Sequence, residues 1–596
     1  MTRSSVIRPL ALLPLLFLSA AATNFTQCLI DFQAGNATSG GVDSKGSHVF
    51  NPEDAVGLTY ETCTALCGNG PELFEWSIFS QQFSSWLLPW LALVSQLPFG
   101  AGNHLDNLTS GEFPSIYPSV DLPFAHHSIS VALTVGSPTL AAFSLALTAL
   151  NTRWTYNRFS AINYPNRENA ARALVHLQQV PLHITTRDGL LASLVVLPEN
   201  EDWLECLVDR LGQTYTWTVA AATSIVWVII AFVFTIVDSF TNLGKNVNSA
   251  GQGVGSLWLW LIPIVVGWLW IPVCSHDKLK AAIDKANDIA FVATDVGAPR
   301  RSYDISHMQA IRMSEVTEVL TRDAVRTAPV FNYARIWEWW RTVETIAWAF
   351  EHADKNAENH MPVHGRPGQW ALPRDKRPTI QRENRTGTVD QVQAYCGFPH
   401  LGEIPEQPVP PGAWKRIFIA SVFALGLQWA TTGSAVITVV FTPTTGFGGR
   451  SGAYILYGIV STLIWLALLL SGYLAHCAVM WCDGTPEPGF NSANLAKGLA
   501  TFLRRLSIFA AGCNTLGIVL ICVFQFSNFY STCYCNSSVL GRGTKAAYNI
   551  IDTGDFRRDQ MKGGWIGGVV LAGGSVSVFL LFLHLILEPS RNADRS

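Results

Sequence analysis

Seven stretches of the chain are apolar over the length that a helix needs to cross a bilayer. Such a helix takes about 20 mainly apolar residues, and polar or charged residues flank each stretch. The pattern predicts an all-α fold, a polytopic bundle of transmembrane helices. The seven predicted spans are residues 128–150, 216–237, 256–273, 417–441, 453–473, 507–526 and 564–587.

An eighth apolar segment, residues 77–99, is weaker. Its dense apolar core covers only residues 86–94, Pro89 lies inside that core, and glutamines and serines surround it. A run this short is typical of an interfacial or re-entrant segment. We therefore expect seven spans, with residues 77–99 entering the membrane or lying on it without crossing.

The first 22 residues have the pattern of a secretory signal peptide. Arg3 and Arg8 precede an apolar run at residues 10–18, and small residues follow up to Ala22. The run is too short to cross a membrane, and cleavage at small residues is typical of such peptides. We expect the mature chain to begin close to Asn24.

The distribution of basic residues predicts the orientation in the membrane. Residues 23–127 hold ten carboxylates, one lysine and no arginine, whereas the connection 151–214 holds six arginines. Because loops rich in Lys and Arg stay in the cytosol, residues 23–127 are predicted to lie outside. The connection 151–214, the large segment 275–413 and the tail 588–596 are predicted to be cytosolic.

The composition is that of a membrane protein, and it limits the classes of partner that the protein is expected to bind. Of the 596 residues, 49% are hydrophobic and only 14% are charged, whereas soluble domains carry roughly 25% charged residues. The net charge of −3 gives no electrostatic footprint for nucleic acid. The spans form two groups, in residues 128–274 and 414–587, and the lipid bilayer is the expected partner.

The predicted outer regions carry disulfide and glycosylation candidates. Cysteines on the oxidising side are expected to pair, so Cys28 should bond to Cys63 or Cys67. One of Cys533 and Cys535 would tie the last outer loop, residues 528–563, to the N-terminal region. Since these cysteines are five in number, at least one stays free or pairs elsewhere. The glycosylation sequons place candidate acceptors at Asn24, Asn36, Asn107 and Asn536.

The cytosolic segment 275–413 is the main candidate for a folded or partner-binding module. Helical patterns occur at residues 279–296, 307–325 and 333–352, and the third is rich in tryptophan. Its apolar stripe either packs on neighbouring helices or lies on the bilayer surface. After His352 the chain becomes polar and proline-rich, which predicts an extended linker. The stripe comprises Ile336, Trp340, Val343, Ala347 and Phe350.

Three shorter patterns predict local structure. The apolar run 189–197 is too short to span a membrane, and it is expected to be a buried strand or a dip into the interface. The glycines of residues 251–255 predict a flexible loop. Gly564, Gly568 and Ala572 recur every four residues, which lets another helix approach closely.

Patterns for catalysis or metal binding are weak. His352, His360 and His364 form a histidine cluster, but Pro362 interrupts any helical spacing between the last two. The predicted spans contain almost no ionisable residues, which disfavours an ion-coupled carrier. We therefore expect no catalytic, cofactor-binding or metal site and no enzyme activity.

Four runs of the chain carry a likeness to known sequences. They are FSQQFSSWLLPWLALVSQLPFG (79–100), LTVGSPTLAAFSLALTALNTRW (133–154), GQGVGSLWLWLIPIVVGW (251–268) and TAPVFNYARIWEWW (327–340). They resemble a family of uncharacterised multi-span integral membrane proteins of filamentous fungi. The resemblance implies a eukaryotic secretory-pathway membrane and brings no functional residues.

The predicted architecture suggests two classes of function. An outer N-terminus, seven spans and a large cytosolic segment favour a receptor-like or scaffold protein, with a cytosolic protein partner bound through residues 275–413. The alternative is a transporter or a membrane accessory of a fungal metabolic pathway. Span count alone does not decide between these classes.

Overall fold

The computed structural model describes most of the chain from Thr23 onwards. The described residues are 23–37, 39–98, 123–178, 180, 182–211, 218–241, 250–271, 276–302, 309–313, 323, 328–365, 369–371, 380–398, 412–483, 492–552 and 558–593. The predicted signal peptide, the sequon at Asn107 and the prolines of residues 405–411 lie outside these ranges.

Helices dominate the described chain, and the strands are short. The helices are α1 (Phe25–Asp31), α2 (Tyr60–Leu66), α3 (Trp76–Gln82), α4 (Leu88–Val94), α5 (Pro123–Gly136), α6 (Pro138–Ser160), α7 (Arg167–Leu177), α8 (Leu190–Val196), α9 (Glu201–Leu211), α10 (Val219–Thr241), α11 (Ala250–Trp258), α12 (Leu261–Trp270), α13 (His276–Asn287), α14 (Asn332–Glu358), α15 (Val389–Tyr395), α16 (Ala413–Val440), α17 (Gly449–Asp483), α18 (Ser492–Phe526), α19 (Cys533–Asn536), α20 (Val539–Arg542) and α21 (Arg558–Ala593). The strands are β1 (Gly41–Val42), β2 (Gly57–Thr59), β3 (Leu182–Ile184), β4 (Phe291–Val292), β5 (Arg300–Arg301), β6 (Ile311–Met313) and β7 (Tyr548–Ile550).

Six or seven of these helical segments have the length and apolarity of membrane spans, which confirms a multi-span helical bundle. The seventh counts only if the bent pair α5 and α6 is one span, since their axes differ by 96°. α17 packs along α18, and α16 packs against both α6 and α21. Among the described residues, the six unbent spans are Val219–Thr241, Gln252–Trp270, Ala413–Val440, Gly449–Met480, Ser492–Phe526 and Met561–Glu588.

The first predicted span, residues 128–150, is broken rather than straight. α5 ends at Gly136 and α6 begins at Pro138, with Ser137 in a non-helical conformation between them. A proline inside a helix lacks an N–H and clashes with the preceding turn, and it also restricts the residue before it. The hydrophobic pattern continues across this break, so apolarity alone did not reveal it.

The second half of the segment 76–94 packs into the bundle. α3 and α4 are joined by a π-helical turn, Phe83–Leu87, and Trp90 and Leu93 are buried. Trp76 is exposed at one end of the segment, whereas Leu97 lines a small cavity together with Ser144 and Ala328. The segment is therefore exposed along α3 and enters the bundle from Leu87 onwards.

A small N-terminal domain, formed by residues 23–72 and 528–552, caps one end of the bundle. Strands β1, β2 and β7 form an antiparallel sheet in which Leu58 faces Asn549. Two disulfides, Cys28–Cys67 and Cys63–Cys533, lie in its core. The sheet is an addition to the predicted all-α fold. It forms because the distant segment 548–550 supplies the third strand.

A second, central domain lies at the other end of the bundle and combines residues 161–211 with 276–398. β3 pairs with β6, so that Leu182 faces Met313. The Asn200 side chain donates to the Phe291 carbonyl and accepts from the Phe291 N–H, both at 2.8 Å. These bonds join two stretches that the sequence separates by two spans.

Several local predictions for the central domain were wrong. Residues 190–196 form a buried helix, which rules out the strand that was one of two predicted alternatives, and residues 311–313 form a strand instead of a helix. The predicted linker after His352 is partly folded, since α14 continues to Glu358 and α15 buries Val392 and Tyr395. In each case a partner element distant in the sequence supplies the contacts.

The two glycine-containing segments lie in helices that pack against another helix of the same chain. Residues 251–255, predicted to be a loop, lie in α11, which packs on α16. In α21 the stripe of Gly564, Gly568 and Ala572 also faces α16: the Ser434 hydroxyl donates to the Gly568 carbonyl at 2.6 Å. A Cβ at Gly564 would meet the Phe441 ring at 2.5 Å. The close helix partner of this stripe is therefore α16.

The disulfide pattern is open to a direct test. Digestion without reductant, after alkylation under denaturing conditions, should give linked peptides for Cys28–Cys67 and Cys63–Cys533. Their Cα–Cα distances of 5.6 and 5.9 Å suit a bridge. Cys535 should be alkylated as a free thiol. Recovery of a Cys28–Cys63 peptide, or of all five cysteines as thiols, would contradict the structure.

Candidate functional site: a helix break and a docked tryptophan-rich helix

Polar side chains of α17 and α18 donate hydrogen bonds to carbonyl groups of the last five residues of α5, next to the break. The Thr515 hydroxyl donates to the Ala132 carbonyl at 2.9 Å, and the Tyr457 hydroxyl to the Val135 carbonyl at 2.7 Å. The Asn514 amide donates to Gly136 at 2.7 Å. A helix end leaves its last carbonyls without intrahelical partners, and an apolar bundle offers no water to replace them.

Serine and threonine side chains complete the other side of the break. The Ser137 hydroxyl accepts from the Leu140 N–H and donates to the Ser461 carbonyl at 2.8 Å. Thr139 lies 3.3 Å from the Ser461 hydroxyl. Ser461 is twelve residues into α17, about 18 Å at 1.5 Å per residue. The break therefore lies near mid-bundle.

Close backbone contact fixes α5 on α18. A Cβ added at Gly136 would overlap the carbonyl oxygen of Ala511. Only glycine allows this approach, which brings the Gly136 carbonyl within reach of Asn514. Helix breaks of this kind position ligand sites in many transporters. Here the polar groups around the break bond mainly to one another.

The start of α14 docks against α6 through buried polar contacts. The Asn332 amide donates to the Thr148 hydroxyl at 2.6 Å, and the Trp340 indole N–H donates to the Asn151 side chain at 3.0 Å. The Ser144 hydroxyl donates to the Pro329 carbonyl. α6 thus carries the break at its first residues and the central domain further along.

Aromatic side chains extend this interface to α16 and α17. The Trp337 ring stacks on His476, with centroids 5.2 Å apart, and contacts Trp414 and Tyr473 at 5.5 Å. Trp337 also meets Trp340 edge to face. The predicted stripe is buried, and Trp337 and Trp339 on its flanks are buried too. The burial favours the packing interpretation of this helix.

Arg416, in the first turn of α16, lies against two rings of the interface. Its guanidinium carbon is 4.1 Å from the Trp154 ring centroid and 4.8 Å from that of Trp340. Such cation–π contacts stabilise by about 0.5–2 kcal/mol. They join α6, α14 and α16 at one point.

A buried charge network lies beside the aromatic cluster. Asp323, 2% exposed, accepts from the Tyr333 hydroxyl at 2.5 Å and lies 3.7 Å from the Arg504 guanidinium. Arg335, 1% exposed, donates to Asn332 at 2.8 Å. Burial lowers the pKa of Arg335 to about 9, against the opposing effects of Tyr333 and Asp323, so the guanidinium stays charged at neutral pH. Removing one partner of such a network leaves an uncompensated buried charge.

The residues that the sequence marked as candidate sites are spread over the molecule. Asn24 and Asn36 are exposed on the N-terminal domain. Asn536 is half-buried, and its side-chain oxygen accepts from Arg450. Asn107 lies outside the described residues.

The predicted histidine cluster does not gather into a site. His352 contacts the Trp348 carbonyl, and His360 packs edge to face on Trp370. In the described chain, the one group of His, Cys, Asp or Glu close enough to share an ion is Cys63, Cys67 and Cys533. All three of these sulfurs are already in disulfides.

Sequence reasoning missed the break and the donors that serve it. The available signal was the Ser137–Pro138 dipeptide inside a predicted span. Its donors on α17 and α18 lie more than 300 residues away, at Tyr457, Asn514 and Thr515.

Comparison with known proteins found no matching family model, no matching curated protein and no matching solved structure. The resemblance to the fungal membrane family therefore stays a prediction.

Truncating Trp340 tests the docking of α14. Trp340→Ala should lower the free energy of unfolding by about 3–5 kcal/mol, as for a buried aromatic residue. The matched control is Trp227→Ala, since Trp227 is 61% exposed on α10. The measurement is thermal unfolding of the detergent-purified protein. Equal losses in both variants would argue against a buried interface.

Adding a methyl group at Gly136 tests the close contact between α5 and α18 at the break. Gly136→Ala should destabilise by about 1–3 kcal/mol, because the methyl group forces α5 away from α18. Gly512→Ala is the control: its Cβ would meet nothing within 4 Å, and alanine in a helix favours stability by roughly 0.5–1 kcal/mol. The same unfolding assay applies. A neutral or stabilising Gly136→Ala would refute the close contact.

Proposed function

We propose that the chain is a receptor-like or scaffold protein of the secretory pathway or plasma membrane, with seven spans. The N-terminal domain lies outside and the central domain in the cytosol. Two features support this orientation. The disulfides lie in the N-terminal domain, at the opposite end of the bundle from the central domain. The connection 151–214, which holds six arginines, contributes to the central domain.

The docking of α14 is the observation that carries this proposal. The helix contacts α6, α16 and α17 through Trp337 and Trp340 while it also packs on α8 and β3 of the central domain. A cytosolic module on a mobile tether would not need such an interface. A module fixed to the bundle can present a surface whose position depends on the spans.

A continuous set of contacts also joins the two domains. Cys63–Cys533 ties residues 23–72 of the N-terminal domain to its second part, residues 528–552, which follows α18 directly. Asn514 and Thr515 of α18 hold the break, and α6 leads from the break to the docked helix. A displacement of the N-terminal domain can therefore change the central domain, whose exposed face would bind a cytosolic protein partner.

Removing the disulfide between residues 23–72 and the segment that follows α18 tests this coupling. In Cys63→Ser/Cys533→Ser we expect faster amide hydrogen exchange in α6 and α14 than in the wild type, measured by mass spectrometry. The control, Cys28→Ser/Cys67→Ser, removes a disulfide within residues 23–72 and leaves Cys63–Cys533 intact. Unchanged exchange in α14, or the same increase in both variants, would contradict coupling through this path.

A transporter, or a membrane accessory of a metabolic pathway, is the second candidate. The helix break near mid-bundle favours it, since discontinuous helices form substrate and ion sites in transporters. Uptake and export assays on a deletion strain separate the two candidates. A substrate that accumulates on one side of the membrane, and is redistributed when the gene is restored, would favour transport over the receptor-like role.

A further inference from the structure

A small polar cavity lies where the α16–α17 connection meets the residues that follow α18. It is lined by Thr442, Gly446, Arg450, Ser451, Asn536 and Ser537, among others. Its volume of about 20 Å³ has room for one water-sized species, since a single water needs roughly 10–15 Å³ of such space. A polyatomic anion such as sulfate does not fit.

Arg450 brings an uncompensated positive charge to this cavity. Its one side-chain hydrogen bond goes to the neutral Asn536, and its Nε is shielded from solvent without a partner. Among the described residues no carboxylate lies within 4 Å of it. A cation withdrawn from water is costly unless it is paired, so the arrangement favours an anion beside Arg450.

The acidic groups nearest to Arg450 form no ion pair with it. Burial raises the pKa of the Cys535 thiol, which keeps it neutral at neutral pH. Burial also raises the pKa of Glu72, which interacts with Arg450 only from beyond ion-pair distance. Arg542 lies beside Gly446 and adds a second positive charge.

Two further groups are suited to bind an anion. The Ser537 hydroxyl is 1% exposed and has no hydrogen-bond partner. α17 begins at Gly449, and the first N–H groups of a helix lack intrahelical acceptors and favour negative charge. A hydroxyl donor, a guanidinium and a helix N-terminus thus meet at one cavity.

We propose that this cavity binds a single halide ion, chloride under physiological conditions, between Arg450, Ser537 and the N-terminus of α17. The size of the cavity selects a monoatomic anion, and the buried donors select an anion over an apolar group. The ion would hold the α16–α17 connection against the Cys533–Ser537 turn, which Cys63 ties to residues 23–72.

Exchange of chloride for gluconate at constant ionic strength tests the site on the purified full chain. We expect a saturable rise in melting temperature with chloride and with bromide, and a chloride-dependent broadening of the ³⁵Cl resonance. Arg450→Gln should abolish both effects. Ser537→Ala keeps the charge and should raise the half-saturating chloride concentration roughly tenfold, as expected for losing one hydrogen bond to a charged group.

Arg505→Gln is the control, because Arg505 is exposed on α18, far along that helix from the cavity, and should leave both chloride effects unchanged. Equal melting temperatures in chloride and gluconate for the wild type, without line broadening, would mean that the cavity holds only water and would overturn the proposal. A chloride effect that persists undiminished in Ser537→Ala and Arg450→Gln would overturn it as well. If Arg450→Gln does not fold, Ser537→Ala decides.

Discussion

The pairing of backbone carbonyl groups at the break between α5 and α6 is the constraint on which the bundle depends. An unpaired carbonyl in an apolar interior costs several kcal/mol, so Pro138 can interrupt the helix only where other helices supply donors. Tyr457, Asn514 and Thr515 supply them. Their positions on α17 and α18 set the depth at which α6 begins, and hence where its far end meets the central domain.

Apolarity predicted most of the spans, because a run of about 20 apolar residues has few other stable environments. The helix at residues 333–352 was also predicted, since its apolar residues recur at helical spacing, and it is observed as Asn332–Glu358. The break was not predicted, because the apolar run continues across Ser137. Its partners are set by tertiary contacts with residues more than 300 positions away, which a local pattern cannot contain.

The central domain shows the same limit. The run 189–197 is apolar throughout, a composition that suits a buried strand as well as a buried helix, and the contacts with α15 and β4 favour the helix. The stripe on α14 was predicted correctly as an apolar face. Trp337 and Trp339, on the flanks of this stripe, are buried as well, because the helix packs against a second partner. The helix lies between the domain and the bundle, and neither surface is visible from the helix alone.

The distribution of polar groups bears on which function the bundle can serve. The buried charges Asp323, Arg335 and Arg504 lie where the central domain docks, whereas the break near mid-bundle is served by neutral groups. A carrier would have to separate the helices at the break and expose Ser137, Asn514 and Tyr457 to a substrate. Each lost hydrogen bond between membrane helices costs about 0.6–2 kcal/mol, so such opening needs binding energy from the substrate. A receptor-like protein needs only that the break and the helices bonded to it move as a unit, carrying α6 and the docked α14 with them. The satisfied hydrogen bonds at the break favour that motion over opening.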